Sequence, residues 1–242
     1  TDHPWPAQQS YQGAALEWNL PDKIVKDIDS YAQQLQTTPF NVLLAGFQLL
    51  LWRYSGQQDF AIGVPVSGRQ HVASQNMIGV FINTLVNRAQ ITPESDVETW
   101  LNRHIQAVQQ EIEHQQMPLE ELLHLLNPAR DLSRPAVFQV MFNYQSDQHK
   151  QRVLCLPDIT FNPLESEKDN TKFELSFNLM RREQIELQIE FNTDLFEQDT
   201  IVQMFEDYLA ILTWLPSAKQ QTLSQLTLPS MQKALALAHL HG

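Results

Sequence analysis

The chain has 242 residues, of which 43% are hydrophobic and 18% charged, and a formal net charge of −12. That length and apolar share provide for a packed core, and the acidic balance, with no run of Lys and Arg among aromatics, argues against nucleic-acid binding. One cysteine, Cys155, excludes an internal disulfide framework and a CxxC metal site, and no apolar run is long enough to span a bilayer.

The N-terminus lacks a charged-then-apolar signal pattern, so a cytoplasmic protein is the default. Residues 1–20 begin Pro-rich and read as an irregular leading segment. From Pro21 to Gln36, Ile24, Val25, Ile28, Tyr31, Ala32 and Leu35 recur at helical spacing and make one apolar face. Thr38 is the candidate cap of a second helix from Pro39 to Tyr54, with proline in its first turn. That helix is apolar nearly all round, which predicts burial on every side.

Phe60 to Val66, bounded by Asp59 and Ser67-Gly68, reads as a buried strand, and Gly79 to Ile91 reads the same way. Val97 to Gln115 is an amphipathic helix and Pro118 to Leu126 a short one. Phe138 to Tyr144 is a strand, with a further strand over Ile159 to Leu164. Phe173 to Met180 and Ile185 to Asn192 alternate around Arg181-Arg182-Glu183 and predict a hairpin. Gln198 to Leu215 is the last amphipathic helix. Pro216 to Gly242, rich in Ser, Gln and Leu, is expected to be lightly packed. Alternating helices and strands with a hairpin predict an α/β sandwich whose mixed sheet is flanked by helices.

Three blocks stand out. The first is Ile78-Gly79-Val80-Phe81-Ile82-Asn83-Thr84, ending at Arg88. The second is His114-Gln115-Gln116-Met117-Pro118-Leu119-Glu120. The third is Arg130-Asp131-Leu132-Ser133-Arg134, followed by Phe138-Gln139-Val140-Met141-Phe142-Asn143-Tyr144-Gln145. In that order and spacing they resemble the second half of a condensation domain of non-ribosomal peptide synthetases. The likeness extends from Thr1-Asp2-His3-Pro4 to Phe191-Asn192-Thr193-Asp194-Leu195-Phe196.

The family's HHxxxDG motif has no counterpart, since the chain holds no His-His pair. The resemblance therefore implies the C-terminal lobe of a two-lobe enzyme over residues 1–215, cut between lobes, with 216–242 as a linker toward a downstream domain. It implies a lobe like that of chloramphenicol acetyltransferase. It also implies amide-bond formation between carrier-bound acyl or peptidyl and aminoacyl thioesters, with this piece inactive alone. The implied partners are the N-terminal lobe, peptidyl carrier proteins with their phosphopantetheine arms, and a downstream adenylation domain. No cofactor is expected on the chain itself. The alternatives are a carrier-docking or scaffold lobe and a heterocyclisation relative.

Gly79, Phe81 and Asn83 are the candidate wall of the substrate channel. A polar Asn83 in an apolar run either bonds at a strand end or donates to a reacting carbonyl, and a missing side chain at Gly79 allows close backbone approach. His114, Glu120, Arg130, Asp131 and Arg134 are candidates for an interface or structural role; the last three read as a local ion-pair network, or their guanidinium groups as organising carboxylates across the lobe boundary. Cys155 reads as a packed small apolar residue. The histidines lack metal-ligand spacing, and no metal is expected. The family places a crossover near Ser146 to Thr171, where Val153, Leu154, Leu156, Ile159, Phe161 and Leu164 form an apolar set. An extended crossover predicts self-association of the isolated chain.

Overall fold

The computed structural model describes residues 1–69, 71–129, 131–146 and 169–233. Cys155, Arg130, the strand expected over Ile159 to Leu164 and the apolar set of the crossover lie outside the described residues. No helix among the described residues is long and apolar enough to cross a membrane.

Six strands form one mixed sheet: β1 (Gly13–Asn19), β2 (Asp59–Val66), β3 (Asn83–Gln90), β4 (Val140–Ser146), β5 (Leu175–Arg181) and β6 (Ile185–Asn192). Their order is β1-β6-β5-β4-β2-β3. β4 runs parallel to β2 and β5, and the other neighbours are antiparallel. The helices are α1 (Asp22–Gln34), α2 (Pro39–Ser55), α3 (Val97–Glu113), α4 (Leu119–Leu126) and α5 (Gln198–Ser217). The α/β sandwich with a mixed sheet is thus observed.

Burial follows the two periodicities. In β4, β5 and β6, Phe142, Leu175, Phe177, Leu179, Leu187 and Ile189 are buried on one face, while Met141, Asn143, Gln145, Asn178 and Gln188 alternate onto the other. The apolar face meets the helices. Phe47 of α2 packs on Phe142 and Phe177 with ring centroids 5.4 and 4.5 Å apart. Tyr208 of α5 meets Phe177 edge-on at 5.3 Å, and Phe205 stacks on Trp18 of β1 at 4.4 Å. The opposite face carries an open polar hollow of about 490 Å³ lined by Glu17, Asn143, Gln145, Asn178, Arg182 and Gln188, among others.

Helix α2 is buried as its all-round apolar pattern requires: Val42, Leu43, Leu44, Ala45, Phe47 and Leu49 are all 0% exposed. Thr38 occupies its N-cap position and Pro39 its first turn, but the Thr38 side chain makes no cap bond. The left-handed Gly56, at φ 69°, ends it. Gly46 lets α5 approach: a Cβ there would lie 2.8 Å from Leu212 Cδ2 and 3.2 Å from Tyr208 Cε2. Tyr208 also donates its hydroxyl to the Leu43 carbonyl at 2.9 Å.

Three sequence expectations need correction. The leading segment is not wholly irregular, because residues 13–19 form β1 against β6, from Gly13↔Asn192 to Asn19↔Glu186. Its Gly-Ala-Ala start has little strand character; the waiting edge of β6 supplies the pairing. The strand expected from Gly79 begins at Asn83, since the β2–β3 ladder ends with the Val66↔Asn83 pair and the chain turns just beyond it at the left-handed Gly68, φ 62°. The tail is not lightly packed over residues 218–233: it folds back on the body and buries Leu223, Leu226 and Leu228. These leucines are the apolar content hidden between its Ser and Gln residues.

His104, on α3, is buried between α3 and α2. Its Nε2 donates to the Asn41 carbonyl at 3.0 Å and its ring stacks on Trp100 at 5.9 Å. Burial pushes its pKa from the usual 6.5 down to about 4. The unfolded chain therefore holds the proton that the folded chain refuses between those two values. Stability contributed by neutral His104 is level above about pH 6.5 and falls as pH drops toward 4, by roughly 3 kcal/mol in full. Urea titrations at neutral and acidic pH are expected to show a smaller acid loss for His104→Phe than for the wild type. Gly46→Val is expected to lose about 2 kcal/mol or more at neutral pH by the same measurement, because two branches must fit between α2 and α5.

Candidate functional site

The first motif block lies in the connection between β2 and β3. Arg69 sets its shape: the guanidinium lies 4.3 Å above the Phe81 ring and donates to the carbonyls of Ser74 and Met77, the latter at 2.9 Å. Gly68 has φ 62°, and a Cβ there would collide with the Phe81 carbonyl. Gly79 lies against the same ring, where a Cβ would come within 3.1 Å of Phe81 Cε2. Ile78, Val80 and Ile82 point away and are exposed by 104%, 95% and 69%. One side of this extended stretch is thus an uncovered apolar row.

Asn83, the first residue of β3, reaches the second block. Its Nδ2 donates to the carbonyls of Gln115 at 2.9 Å and Met117 at 2.7 Å. Both carbonyls lie in the turn between α3 and α4, where helix carbonyls would otherwise lack partners. His114 closes α3 there, with Nδ1 2.9 Å from the Gln110 carbonyl. Gln115 Nε2 donates back to the Ile112 carbonyl at 2.9 Å. Pro118 starts α4, and Glu120 stands exposed in its first turn, where negative charge suits the helix end.

Both blocks border one cavity of about 570 Å³, lined by Gly68, His71, Ser74, Phe81, Asn83, Gln115, Gln116 and Pro118. His71 and Ser74 were not foreseen from the sequence, which offers no motif around them. The Ser74 hydroxyl donates to the His71 carbonyl at 2.6 Å. That bond commits it to the backbone, and no serine–imidazole nucleophile results.

A buried carboxamide relay supports this wall. Gln48 of α2 donates to Asn87 Oδ1 at 2.7 Å, and Asn87 donates to Glu111 Oε2 at 2.8 Å. Glu111 Oε1 also accepts the Arg88 backbone N–H at 3.1 Å. Burial raises the Glu111 carboxyl above its usual range, against the opposing pull of the Asn87 and Arg88 hydrogen bonds. α3 is thereby fixed to β3 one turn before the Asn83 contact.

The third block stands apart from the cavity. Asp131 accepts from the Ser133 N–H at 2.8 Å and from its hydroxyl at 2.6 Å, and from Arg134 Nε at 3.1 Å. The Ser133 bonds, then Arg134, hold the Asp131 carboxyl below its usual range. Arg134 sits 4.9 Å above the Trp5 ring, and Trp5 Nε1 donates to Glu174 at 2.9 Å. The block thus binds the leading segment, an arrangement its charge pattern alone did not disclose. Among the described residues, no cluster of three or more His, Cys, Asp or Glu is placed to hold a metal.

The condensation domain family profile matches residues 1–238. The chain belongs to the condensation domain family. Tyrocidine synthase 3 of Brevibacillus parabrevis is 32% identical over 97% of this chain, and gramicidin S synthase 2 of Brevibacillus brevis is 32% identical over 88%. The chain spans 4% of the length of the first relative and 5% of the second. Among solved structures, the four-domain nonribosomal peptide synthetase AB3403, with AMP and glycine bound, superposes with TM-score 0.83 at 20% identity, over 93% of this chain and 18% of that one. The X-domain from teicoplanin biosynthesis gives TM-score 0.83 at 21% identity, over 94% of this chain and 52% of that one. The condensation domain of the Monacolin K polyketide synthase MokA gives 0.77 at 19%, over 90% and 50%. This condensation-family chain therefore corresponds to about half of those last two solved chains.

Removing the Asn83 amide frees two carbonyls at once. Asn83→Ala is expected to destabilise the chain by about 1–3 kcal/mol and to raise protease cleavage between His114 and Pro118. Asn83→Asp is expected to do no better, because a carboxylate has the shape but no hydrogens to donate. Urea denaturation and limited proteolysis of the three proteins measure both effects.

Proposed function

We propose that this chain is the C-terminal lobe of a condensation domain that joins a carrier-bound acyl or peptidyl thioester to the amine of a carrier-bound aminoacyl thioester. The observation that carries this reading is the convergence of Phe81 and Asn83 with Gln115 and Pro118 around one cavity, with Gly79 packed behind the Phe81 ring, in a chain of the condensation family. The amine nitrogen attacks the thioester carbonyl, the carbon–sulfur bond breaks, and the thiol of the phosphopantetheine arm departs. Catalysis of this kind draws much of its rate from alignment of two tethered reactants.

Among the described residues that line the cavity, His71 carries the one ionisable side chain, and in this reading the cavity serves as a channel wall. Asn83 spends its hydrogens on the Gln115 and Met117 carbonyls, so in this reading it shapes the channel. The group that handles the amine belongs to the N-terminal lobe. Carrier proteins and a downstream adenylation domain complete the set of partners, in a cytoplasmic synthetase. The exposed row of Ile78, Val80 and Ile82 favours a second reading, a docking lobe whose purpose is to be covered by a partner.

Complementation separates the readings. The purified chain, mixed with the segment that precedes it in its own gene product and with loaded carrier proteins, is expected to yield a carrier-bound amide, while the chain alone yields none. Mass spectrometry of the carrier reads the product. Amide formed by the chain alone overturns the reading, and a product one water lighter than that amide marks a heterocyclisation relative. No product from the mixture, with carrier binding intact, leaves the docking lobe.

A further inference from the structure

Residues 218–233 form a strap that ties the end of α5 to the start of α3. The strap carbonyls of Gln221 and Lys219 accept the N–H groups of Val97 and Glu98 at 3.0 and 3.1 Å. The Asp96 side chain takes the next one, from Thr99, at 2.8 Å. Orphan donors of the first turn of α3 are thus satisfied largely by a distant segment of chain. The strap continues with Leu223 N–H to the Ser95 carbonyl at 3.0 Å and Ser224 N–H to the Pro93 carbonyl at 2.9 Å. Leu223, Leu226 and Leu228, at 0%, 2% and 0% exposure, seat it in the core.

Its far end is held by a buried carboxylate. Asp207 of α5 is 0% exposed. It accepts the Ser230 N–H at 3.0 Å and the Tyr54 hydroxyl at 2.8 Å. Ser230 lies in the helical stretch of residues 229–233, where a carboxylate acceptor suits the unpaired donors and positive end of a helix start.

The other end of α3 is the wall of the cavity. Glu111 binds β3 through Asn87 and the Arg88 N–H, and Gln115 and Met117 are held by Asn83. α3 has 17 residues and is roughly 25 Å long. A helix is stiff along its axis, and packed helices move by small slides of the whole element. Between its ends, side-chain hydrogen bonds from Trp100 to the Gln90 carbonyl and from His104 to the Asn41 carbonyl tie it to the body.

We propose that the strap of residues 218–233 sets the position of the cavity wall by capping α3. Docked, it holds α3 at the height at which Asn83 reaches both carbonyls. Released, it leaves Val97 and Glu98 uncapped and empties the space of three leucines, and α3 settles toward that space. Whatever pulls on the chain beyond residue 233 then acts on the cavity without touching it.

The test compares nuclear magnetic resonance spectra of the wild type with Leu228→Asp, which makes seating the strap unfavourable, and with Lys233→Gln, which removes only exposed bonds to Gln203 and Glu206. Leu228→Asp is expected to speed amide exchange at Val97 and Glu98 on the order of tenfold or more. It is also expected to shift the Asn83 side-chain amide signals together with the backbone signals of Gln115 and Met117. Lys233→Gln is expected to leave both groups of signals in place. Fast exchange at Val97 and Glu98 with unmoved Asn83 signals overturns the coupling. Should Leu228→Asp fail to fold, Asp207→Asn, which keeps the size and weakens the grip on Ser230, is read the same way. If that variant leaves Val97 and Glu98 fully protected, the Asp207 anchor is refuted and the proposal falls with it. Because neither readout measures amide formation, the result stands apart from that of the complementation experiment.

Discussion

Burial of α2 on every side is the constraint from which the architecture follows. An all-round apolar helix needs cover all round it. The sheet gives it Phe142 and Phe177 below, α5 gives it Tyr208 and Leu212 at the Gly46 crossing, and α1 and α3 close its flanks. The even positions of β4 and the odd positions of β5 and β6 are committed to that layer. Their neighbours, Asn143, Gln145, Asn178 and Gln188, are left to the other face, where a polar hollow forms.

The same layer fixes the cavity. α3 is attached to β3 by carboxamides and one carboxylate, and its connection to α4 hangs on Asn83. Buried polar groups of this sort are stable when each has its partner. The chain of contacts from Gln48 to Asn87, Glu111, Arg88 and the α3–α4 turn meets that condition. Two motif blocks about thirty residues apart in sequence thus face each other across a few ångströms. The third block answers to a different demand: Asp131, Ser133 and Arg134 make a closed turn whose cation rests on Trp5.

Much of this was legible beforehand. The ends of α2, β2, α3, β6 and α5 fall within two residues of those expected from periodicity and punctuation. Strong period and clear stops, such as Asp96 before α3 and Gly56 after α2, explain that agreement. The failures are equally specific. β1 lies in a stretch of weak strand propensity, β3 starts late because β2 runs out, and the tail packs through three leucines spread among polar residues. His71 and Ser74 enter the cavity through the fold of a loop, which no spacing rule describes.

The sequence by itself determined the strongly periodic elements and their buried faces, the family and the identity of the motif residues, because these depend on local period and on residue type. Tertiary structure alone decided what each polar motif side chain does. Asn83 in an apolar run has the same pattern whether it meets a substrate or a carbonyl of its own chain. The choice rested on where α3 ends relative to β3, which is set by packing between segments far apart in sequence. Likewise the strap's leucines become an anchor only because α3 and α5 leave room for them and Asp207 stands where Ser230 arrives. Local sequence carries no record of such meetings, since the partners are brought together by the core and not by the chain.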